Sequence, residues 1–149
     1  MAKVSICVPT YNNASEVERL LQSVHRQNYT DYEVNISDDS TNEETAELIE
    51  RIRTEWSWQD KLHYIHNEKP LGHIYNWNAA IKMPEGQYIK IMFSDDWFTD
   101  SDSLGTFVSM LDEHPKANLA FSGSMQVLLD GQDIEQVKHL NKQVTEHGN

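Results

Sequence analysis

The feature that most constrains the fold is a repeated alternation of short apolar runs with helical patterns. The apolar runs predict four strands, at residues 4–8, 32–37, 62–66 and 88–93. Between and after these runs, apolar residues recur with the i, i+3, i+4 spacing of one helix face. Strands that alternate with helices form a mostly parallel sheet with helices on both faces. The sequence therefore predicts an α/β fold.

Four helices are predicted from the side chains that would face the sheet. These are Val17, Leu20, Leu21 and Val24; Leu48, Ile49 and Ile52; Ile74, Trp77, Asn78 and Ile81; and Leu104, Phe107, Val108 and Leu111. Two capping-box spacings predict the starts of the first two helices, namely Ser15 with Glu18 and Thr41 with Glu44.

The last part of the chain has a weaker pattern. Residues 119–121 and 125–129 predict two short strands, the second of which ends at a turn at residues 130–131. A final amphipathic helix is predicted from the spacing of Ile134, Val137 and Val144. The polar residues 145–149 are expected to fray.

The composition limits the partners of the chain. Its 149 residues are 38% hydrophobic, which is enough for one domain with one core, and no run of apolar residues is long enough for a transmembrane segment. Its net charge of -12 argues against nucleic acid as a partner. An anionic ligand would need help from helix N-termini, backbone N–H groups or a divalent cation. The single cysteine, Cys7, is expected to be a buried strand thiol.

Polar clusters directly follow the predicted strands. They are Thr10-Tyr11-Asn12, Asp38-Asp39, Asn67 and Asp95-Asp96. Ligands of open parallel sheets bind beyond the carboxyl ends of the strands, at the point where the strand order reverses. The fold would therefore gather these clusters along one edge of the sheet, where we expect the functional site.

The Asp95-Asp96 pair is the strongest candidate metal site. Carboxylate oxygens suit Mg2+ or Mn2+, which commonly use one or two protein carboxylates together with substrate phosphates. The alternative is that the pair caps the next helix or faces solvent. The neighbouring polar clusters, and the need of an acidic chain for a cation to hold an anionic ligand, favour the metal.

Other polar side chains leave alternatives open. Asp39 offers acceptors for a base edge or a ribose, whereas Asp38 is a candidate helix cap. Tyr11 offers a flat face for a nucleobase, or packs into the core. Three histidines lack the compact spacing of metal ligands, so surface or hydrogen-bonded roles are expected for His63, His66 and His73. No glycine-rich dinucleotide motif, Walker loop, nucleophile elbow or paired Cys-x-x-Cys occurs, which argues against the corresponding enzyme classes and a zinc ribbon.

Taken together, four motifs resemble family 2 glycosyltransferases in order and spacing over about residues 3–115. They are Val8-Pro9-Thr10-Tyr11-Asn12, Ser37-Asp38-Asp39-Ser40-Thr41-Asn42, Asn67 with Gly72 and Asn78-Ala79-Ala80, and Ser94-Asp95-Asp96. The resemblance implies a GT-A fold, the Rossmann-like fold of nucleotide-diphospho-sugar transferases. It also implies that residues 1–149 are a single domain of this type that ends before the acceptor-binding and catalytic-base segment.

The resemblance implies roles for individual residues. Pro9, Thr10 and Tyr11 would border a uracil or guanine pocket, and Asp39 would hydrogen-bond the base. The full set of implied nucleotide-binding residues is Pro9, Thr10, Tyr11, Asp39, Asn67, Gly72, Asn76, Ser94 and Asp95. The implied cofactor is Mg2+ or Mn2+, held by Asp95 with Asp96 beside it. The implied partners are a UDP-, GDP- or dTDP-sugar donor and a saccharide or lipid-linked acceptor.

Four positions depart from the family pattern. The usual first acid of the Asp-any-Asp element aligns with Phe93, and Ser40 replaces a common glycine. His73 and Asn76 stand where many relatives have basic residues near the diphosphate, so less positive charge is available there.

The implied reaction is inverting sugar transfer, in which a carboxylate deprotonates the acceptor hydroxyl and a cation stabilises the departing nucleoside diphosphate. The base stays unassigned, because in this family it comes from a later segment. The expected location is the cytoplasm, at the inner face of the membrane if the acceptor or a missing C-terminal part holds the protein there. The alternative function is a non-catalytic nucleotide-binding or interaction module. A response-regulator receiver domain is disfavoured, because Asn67 stands where a phosphorylatable aspartate is needed.

Overall fold

The computed structural model describes residues 2–126 and 137–139. The chain divides into two compact units, residues 1–108 and residues 109–149. Within the described part of the chain, no helix has the length and apolar character needed to cross a membrane.

The first unit is built on a four-stranded parallel sheet. Its strands are β1 (Val4–Thr10), β2 (Tyr32–Asp38), β3 (Leu62–His66) and β4 (Tyr88–Ile91), in the spatial order β3-β2-β1-β4. The helices are α1 (Ala14–His25), α2 (Glu44–Glu55), α3 (His73–Lys82) and α4 (Ser103–Glu113). The predicted α/β fold is confirmed, and the strand order reverses between β1 and β4.

The hydrophobic core lies on one face of this sheet. Alternate strand residues supply the sheet side of the core, namely Val4, Ile6, Val8, Val34, Ile36 and Leu62. The helix side comes from α1, α2 and α4, with Val17, Leu20, Leu21, Val24, Leu48, Ile49, Ile52, Leu104 and Val108. The predicted faces of α1 and α2 are therefore confirmed, because amphipathic helices bury their apolar stripe against the sheet.

The predicted face of α3 is wrong. Ile74 is 69% exposed, whereas Asn76 and Ala80 are the buried residues of this helix. The reason is that α3 contributes nothing to the described core cluster. Its Asn76 side chain instead donates to the Thr10 carbonyl, and Gly86, just beyond the helix, lies against Ser5. A helix that packs on polar atoms does not need an apolar stripe.

Both predicted capping boxes are also wrong. Ser15 lies inside α1 and donates to Glu16, and Asn13 is the residue that precedes the helix. Thr41 lies before the start of α2, and its side chain pairs with Asn12 in the neighbouring loop. Neither predicted cap therefore forms, and Thr41 instead takes part in a contact between the two loops.

Strand β4 is an edge strand and ends earlier than predicted, at Ile91 instead of Phe93. Its near-continuous apolar sequence is typical of a strand that is buried on both faces. Ile89 and Ile91 are instead about half exposed, at 50% and 42%. They lie in register with Ser5 and Cys7 of β1, opposite the face that carries the core.

In the second unit, β5 (Ser124–Gln126) pairs antiparallel with β6 (Val137–His139). The strand predicted at residues 119–121 is absent, and Leu119 is 75% exposed. The helix predicted through Val137 is wrong at that residue, because strand pairing there replaces the weak helical spacing. The predictions for residues 127–131, Ile134, Val144 and 145–149 lie outside the described residues.

The one-sided core generates a stability prediction. Replacing the fully buried Ile36 by alanine should lower the free energy of unfolding by about 2–5 kcal/mol, because a cavity is left in the core. The control Ile74→Ala makes the same substitution at an exposed position and should alter the free energy of unfolding by less than about 0.5 kcal/mol. Urea unfolding of both variants measures the difference. Equal losses of unfolding free energy in the two variants would contradict the observation that Ile74, on α3, lies outside the core.

The buried Cys7 generates a second prediction. Burial, and secondarily the negative charge of Glu33, raise the pKa of its thiol to about 12 from the ordinary value of 9.0. The folded protein should therefore stay nearly unreactive to a thiol reagent at pH 9, where an exposed thiol is half ionised. Cys7 is the single cysteine of the chain, so the urea-unfolded protein is a clean control and should react rapidly.

Candidate functional site

A cleft of about 700 Å³ lies at the carboxyl ends of β1, β2 and β4, next to the first turns of α3. Its lining consists of Pro9, Thr10, Tyr11, Asn13, Asp39, Pro70, Gly72, His73, Asn76, Trp77, Phe93, Ser94 and Asp95. The predicted site residues all line it except Asn67 and Asp96. The position agrees with the rule for open parallel sheets, since the strand order reverses between β1 and β4.

The Asp39 carboxylate connects the chain segments that border the cleft. One carboxylate oxygen accepts a hydrogen bond from the Asn67 side chain at 2.8 Å, and the other accepts from the Gly72 backbone N–H at 2.8 Å. The Asp39 backbone N–H donates to the Thr10 carbonyl at 3.0 Å. Asp39 is only 3% exposed, and a carboxylate has about four acceptor positions. It can therefore hold these segments and still accept a hydrogen bond from a ligand.

Asn67 contributes to the site through other side chains. It follows β3, and its amide donates to Asp39, and more weakly to Ser37 and Asn76 at 3.3 Å. Asn67 lines a second pocket of about 470 Å³ instead of the cleft. The sequence correctly predicted that Asn67 lies at this edge of the sheet. In the structure, Asn67 supports the Asp39 carboxylate by a hydrogen bond.

Asp38 has a structural role, but the predicted helix cap is wrong, because the residue that precedes α2 is Glu43, which forms no side-chain capping hydrogen bond. Asp38 is fully buried and accepts hydrogen bonds from the Ser40 backbone N–H and from the Tyr64 hydroxyl, both at 2.8 Å. Burial, and then the hydrogen bond and charge of Asp38, raise the pKa of Tyr64 well above its ordinary value. The neutral hydroxyl thus stays a donor and ties the loop after β2 to β3.

The loop after β1 is held by two asparagines. Asn12 adopts a left-handed backbone conformation, with a φ of 51°, and its side chain accepts from the Thr41 backbone N–H at 2.9 Å. The Asn13 side chain accepts from the Thr10 hydroxyl and donates to the Ser94 hydroxyl, which connects the ends of β1 and β4. Asn13 was missed as a site residue. Its signal in the sequence is its place in the polar run directly after β1.

The start of α3 depends on Gly72. This residue has a φ of 84° and a ψ of 158°, a backbone region that is essentially restricted to glycine. The conformation lets its N–H reach the Asp39 carboxylate. One turn later, the buried Asn76 donates to the Thr10 carbonyl at 3.0 Å.

The two acidic residues after β4 differ in their surroundings. Asp95 lines the cleft, is exposed, and forms no hydrogen bond or ion pair among the described residues. Asp96 does not line the cleft, because its carboxylate and its backbone N–H close a turn with the backbone of Phe93. Within residues 2–126 and 137–139, no three histidine, cysteine or acidic side chains form a group that could hold a metal by themselves.

The remaining wall of the cleft is aromatic. The Trp77 ring lies between His73 and Phe93, with ring centroids 4.4 Å and 4.7 Å apart. Among the described residues, no lysine or arginine lines the cleft. Trp77 and Pro70 were missed as site residues, since the helical spacing assigned Trp77 to a buried helix face.

Comparisons with known proteins place this geometry in context. Residues 5–126 match the protein family described as Glycosyl transferase family 2. The abequosyltransferase RfbV of Salmonella typhimurium is 33% identical over 111 residues, which are 73% of this chain and 32% of RfbV.

Two solved structures have a similar fold, each with a TM-score of 0.66. Staphylococcus aureus TarS 1-349 in complex with UDP-GlcNAc is 26% identical over 86% of this chain and 41% of that one. The mannosyltransferase PcManGT from Pyrobaculum calidifontis, in complex with GDP-Man and Mn2+, is 25% identical over 74% of this chain and 32% of that one. The chain spans less than half of the length of the curated relatives that it matches, such as RfbV.

The backbone at Gly72 generates a prediction about the site. A Cβ at Gly72 would meet nothing within 4 Å, so the Gly72→Ala change should cost about 1–3 kcal/mol of stability through backbone strain alone. The control Gly105→Ala adds the same methyl inside α4, at an ordinary 3.7 Å contact with Tyr29, and should be neutral or stabilise by up to about 1 kcal/mol. Urea unfolding compares the two variants. A Gly72→Ala protein as stable as Gly105→Ala would argue against the observed start of α3.

Proposed function

This chain belongs to glycosyl transferase family 2 and has the GT-A type α/β fold that its sequence predicts, and from this premise we propose that its cleft binds the nucleotide-sugar donor of an inverting, metal-dependent sugar transfer. The observation that carries the proposal is that Asp39 and Asp95 line one cleft where the strand order reverses. One carboxylate is buried and pre-positioned, and the other is exposed and has no partner among residues 2–126 and 137–139.

The nucleoside is proposed to bind at the ends of β1 and β2. The Tyr11 ring is 55% exposed, which argues against the alternative that it packs into the core. An exposed ring beside the buried Asp39 carboxylate offers a stacking face and a hydrogen-bond acceptor for the same base or its ribose. Pro9 and Thr10 also line the cleft.

The diphosphate is proposed to bind at the end of β4, together with Mg2+ or Mn2+. Asp95 fits such an ion, which commonly uses one or two protein carboxylates and takes its other ligands from phosphates and water. Within the part of the chain that the structure describes, the cleft lining contains no lysine or arginine, so the cation would supply positive charge that these side chains do not. When bound, the ion would stabilise the negative charge of the departing nucleoside diphosphate. PcManGT was solved with GDP-Man and Mn2+ together, which supports this pairing of ligands.

In this scheme the chain binds the donor, and the base that activates the acceptor stays unassigned. Asp39 and Asp95 are the carboxylates that line the cleft, and both face the donor in this scheme. The acceptor is proposed to be a hydroxyl of a saccharide or of a lipid-linked saccharide. The proposed setting is polysaccharide synthesis in the cytoplasm. The replacement of the usual first acid by Phe93 favours a second candidate, a module that binds the nucleotide sugar without transferring it.

Calorimetric titration with UDP-GlcNAc, GDP-mannose and a dTDP-sugar, with and without Mn2+, tests the proposal. We expect one donor to bind in the presence of Mn2+ and to bind at least about tenfold more weakly without it, because no cationic side chain replaces the ion. Asp95→Asn should abolish the effect of Mn2+. Asp39→Ala should weaken binding by about ten- to hundredfold in either condition, since it removes an acceptor and frees Gly72 and Asn67.

Two matched changes control for the loss of one negative charge. Asp60→Asn alters an exposed acid outside the cleft and should leave binding unchanged. Asp96→Asn should have a smaller effect than Asp95→Asn, because Asp96 is engaged in a turn away from the cleft. Absence of binding to every donor in both conditions would refute the donor site, and an Asp60→Asn effect equal to that of Asp95→Asn would refute the metal site.

A further inference from the structure

Resting on the proposed function, we infer that Ser23 and Gln27 are positioning residues for the Asp95 carboxylate, although neither lines the cleft. They hold residues 94–102, called the Asp95 segment below, against α1 and the loop that follows it. Because Asp95 is the carboxylate proposed to hold Mg2+ or Mn2+, the two residues should act on the metal-dependent part of donor binding.

The contacts between α1 and the Asp95 segment follow one order along the chain. From the residue before α1 to the loop after it, successive residues meet successive residues of the segment. The pairs are Asn13 with Ser94, Arg19 with Trp97, Ser23 with Phe98, Gln27 with Asp100, and Asn28 with Ser101. The segment therefore lies along α1 from the beginning of the helix to its end.

Ser23 holds the segment three residues after Asp95. Its hydroxyl donates to the Leu20 carbonyl at 2.7 Å and accepts from the Phe98 backbone N–H at 3.1 Å. Ser23 is 2% exposed and Phe98 is 8% exposed, so water cannot readily replace this acceptor. A buried N–H that loses its acceptor is costly. The backbone at Phe98 is therefore tied to one position on α1.

Gln27 uses both halves of its side-chain amide. Its NH2 group donates to the Asp100 carbonyl at 2.7 Å, and its oxygen accepts from the Leu104 N–H at 2.9 Å. Leu104 is the second residue of α4, and the first N–H groups of a helix have no acceptor within the helix. The NH2 group also donates to the Ser23 carbonyl at 3.2 Å. The buried Gln27 thus joins the segment, the start of α4 and the other positioning residue.

The Asp95 carboxylate has no partner of its own among the described residues. Its position depends on the backbone on either side, which is held at Ser94 by Asn13 and at Phe98 by Ser23. A carboxylate that ligates Mg2+ or Mn2+ must keep its oxygen at a narrow distance from the ion. Loosening the segment should therefore weaken the metal before it affects the nucleoside end of the cleft.

Donor titrations with and without Mn2+ test the inference, with the donor that the wild-type protein binds among UDP-GlcNAc, GDP-mannose and a dTDP-sugar. The variants are Ser23→Ala, and Gln27→Met, which removes the amide and keeps most of the side-chain volume. Without Mn2+, both should bind the donor within about twofold of the wild-type protein, since the nucleoside contacts are intact. The gain from Mn2+ should fall from at least about tenfold to about threefold or less, because displaced ligands lose metal affinity.

Matched variants on the same helix control for the substitutions themselves. Gln22→Met and Ser15→Ala make the same changes at exposed positions of α1. Neither residue contacts the Asp95 segment in the described structure, so both variants should keep the full gain from Mn2+.

Hydrogen exchange of the metal-free protein, followed by NMR, gives a readout that needs neither donor nor ion. The Phe98 N–H should exchange about two- to tenfold faster in Ser23→Ala, and the Leu104 N–H in Gln27→Met, because each loses its acceptor. The two control variants should leave both rates unchanged. If the gain from Mn2+ fell while both N–H groups stayed protected, the positioning role would be overturned.

The remaining outcomes separate the inference from the proposed function. An unchanged gain from Mn2+ in both variants, or equal weakening with and without Mn2+, would overturn the positioning role and leave the donor site standing. Should Gln27→Met fail to fold, as judged by circular dichroism, Ser23→Ala decides the matter alone. A wild-type protein that bound no donor in either condition would refute the proposed function and this inference with it.

Discussion

The geometry of the cleft depends on one buried carboxylate. Asp39 accepts from Asn67 beyond β3 and from Gly72 at the start of α3, and its own N–H donates to Thr10 at the end of β1. A buried carboxylate that lost such partners would carry a large desolvation penalty, so the contacts are mutually reinforcing. The positions of β1, β2, β3 and α3 at this edge are thus coupled through a single residue, by its carboxylate and its backbone N–H.

The two faces of the sheet have different physical roles. One face packs apolar residues of β1 and β2 against α1, α2 and α4, which provides the hydrophobic stabilisation. On the other, α3 packs through Asn76 and Ala80, and polar contacts decide its position. Hydrogen bonds are directional and apolar packing is not, which suits a helix whose first turns must border a ligand site.

The described part of the cleft has little positive charge of its own. Among the described residues its lining has no lysine or arginine, one exposed carboxylate, and a Trp77 ring that lies between His73 and Phe93, within a chain of net charge -12. A metal ion would bring the charge needed for a diphosphate. The exchange of an acid for Phe93 therefore changes how this cleft can hold a metal.

The sequence by itself determined the features that depend on local periodicity. Strand and helix order, the apolar faces of α1 and α2, the burial of Cys7 and the gathering of Asp39 and Asp95 at one edge all follow from alternation and from the geometry of parallel strands. Tertiary structure alone decided the rest, because it depends on partners distant in the chain. Neither Ser15 nor Thr41 caps its helix, Thr41 pairs with Asn12 of the neighbouring loop, and Ile74 is exposed because α3 packs on polar atoms. Asn13 joined β1 to β4, and Asp95 was separated from Asp96 by a turn that only the folded backbone reveals.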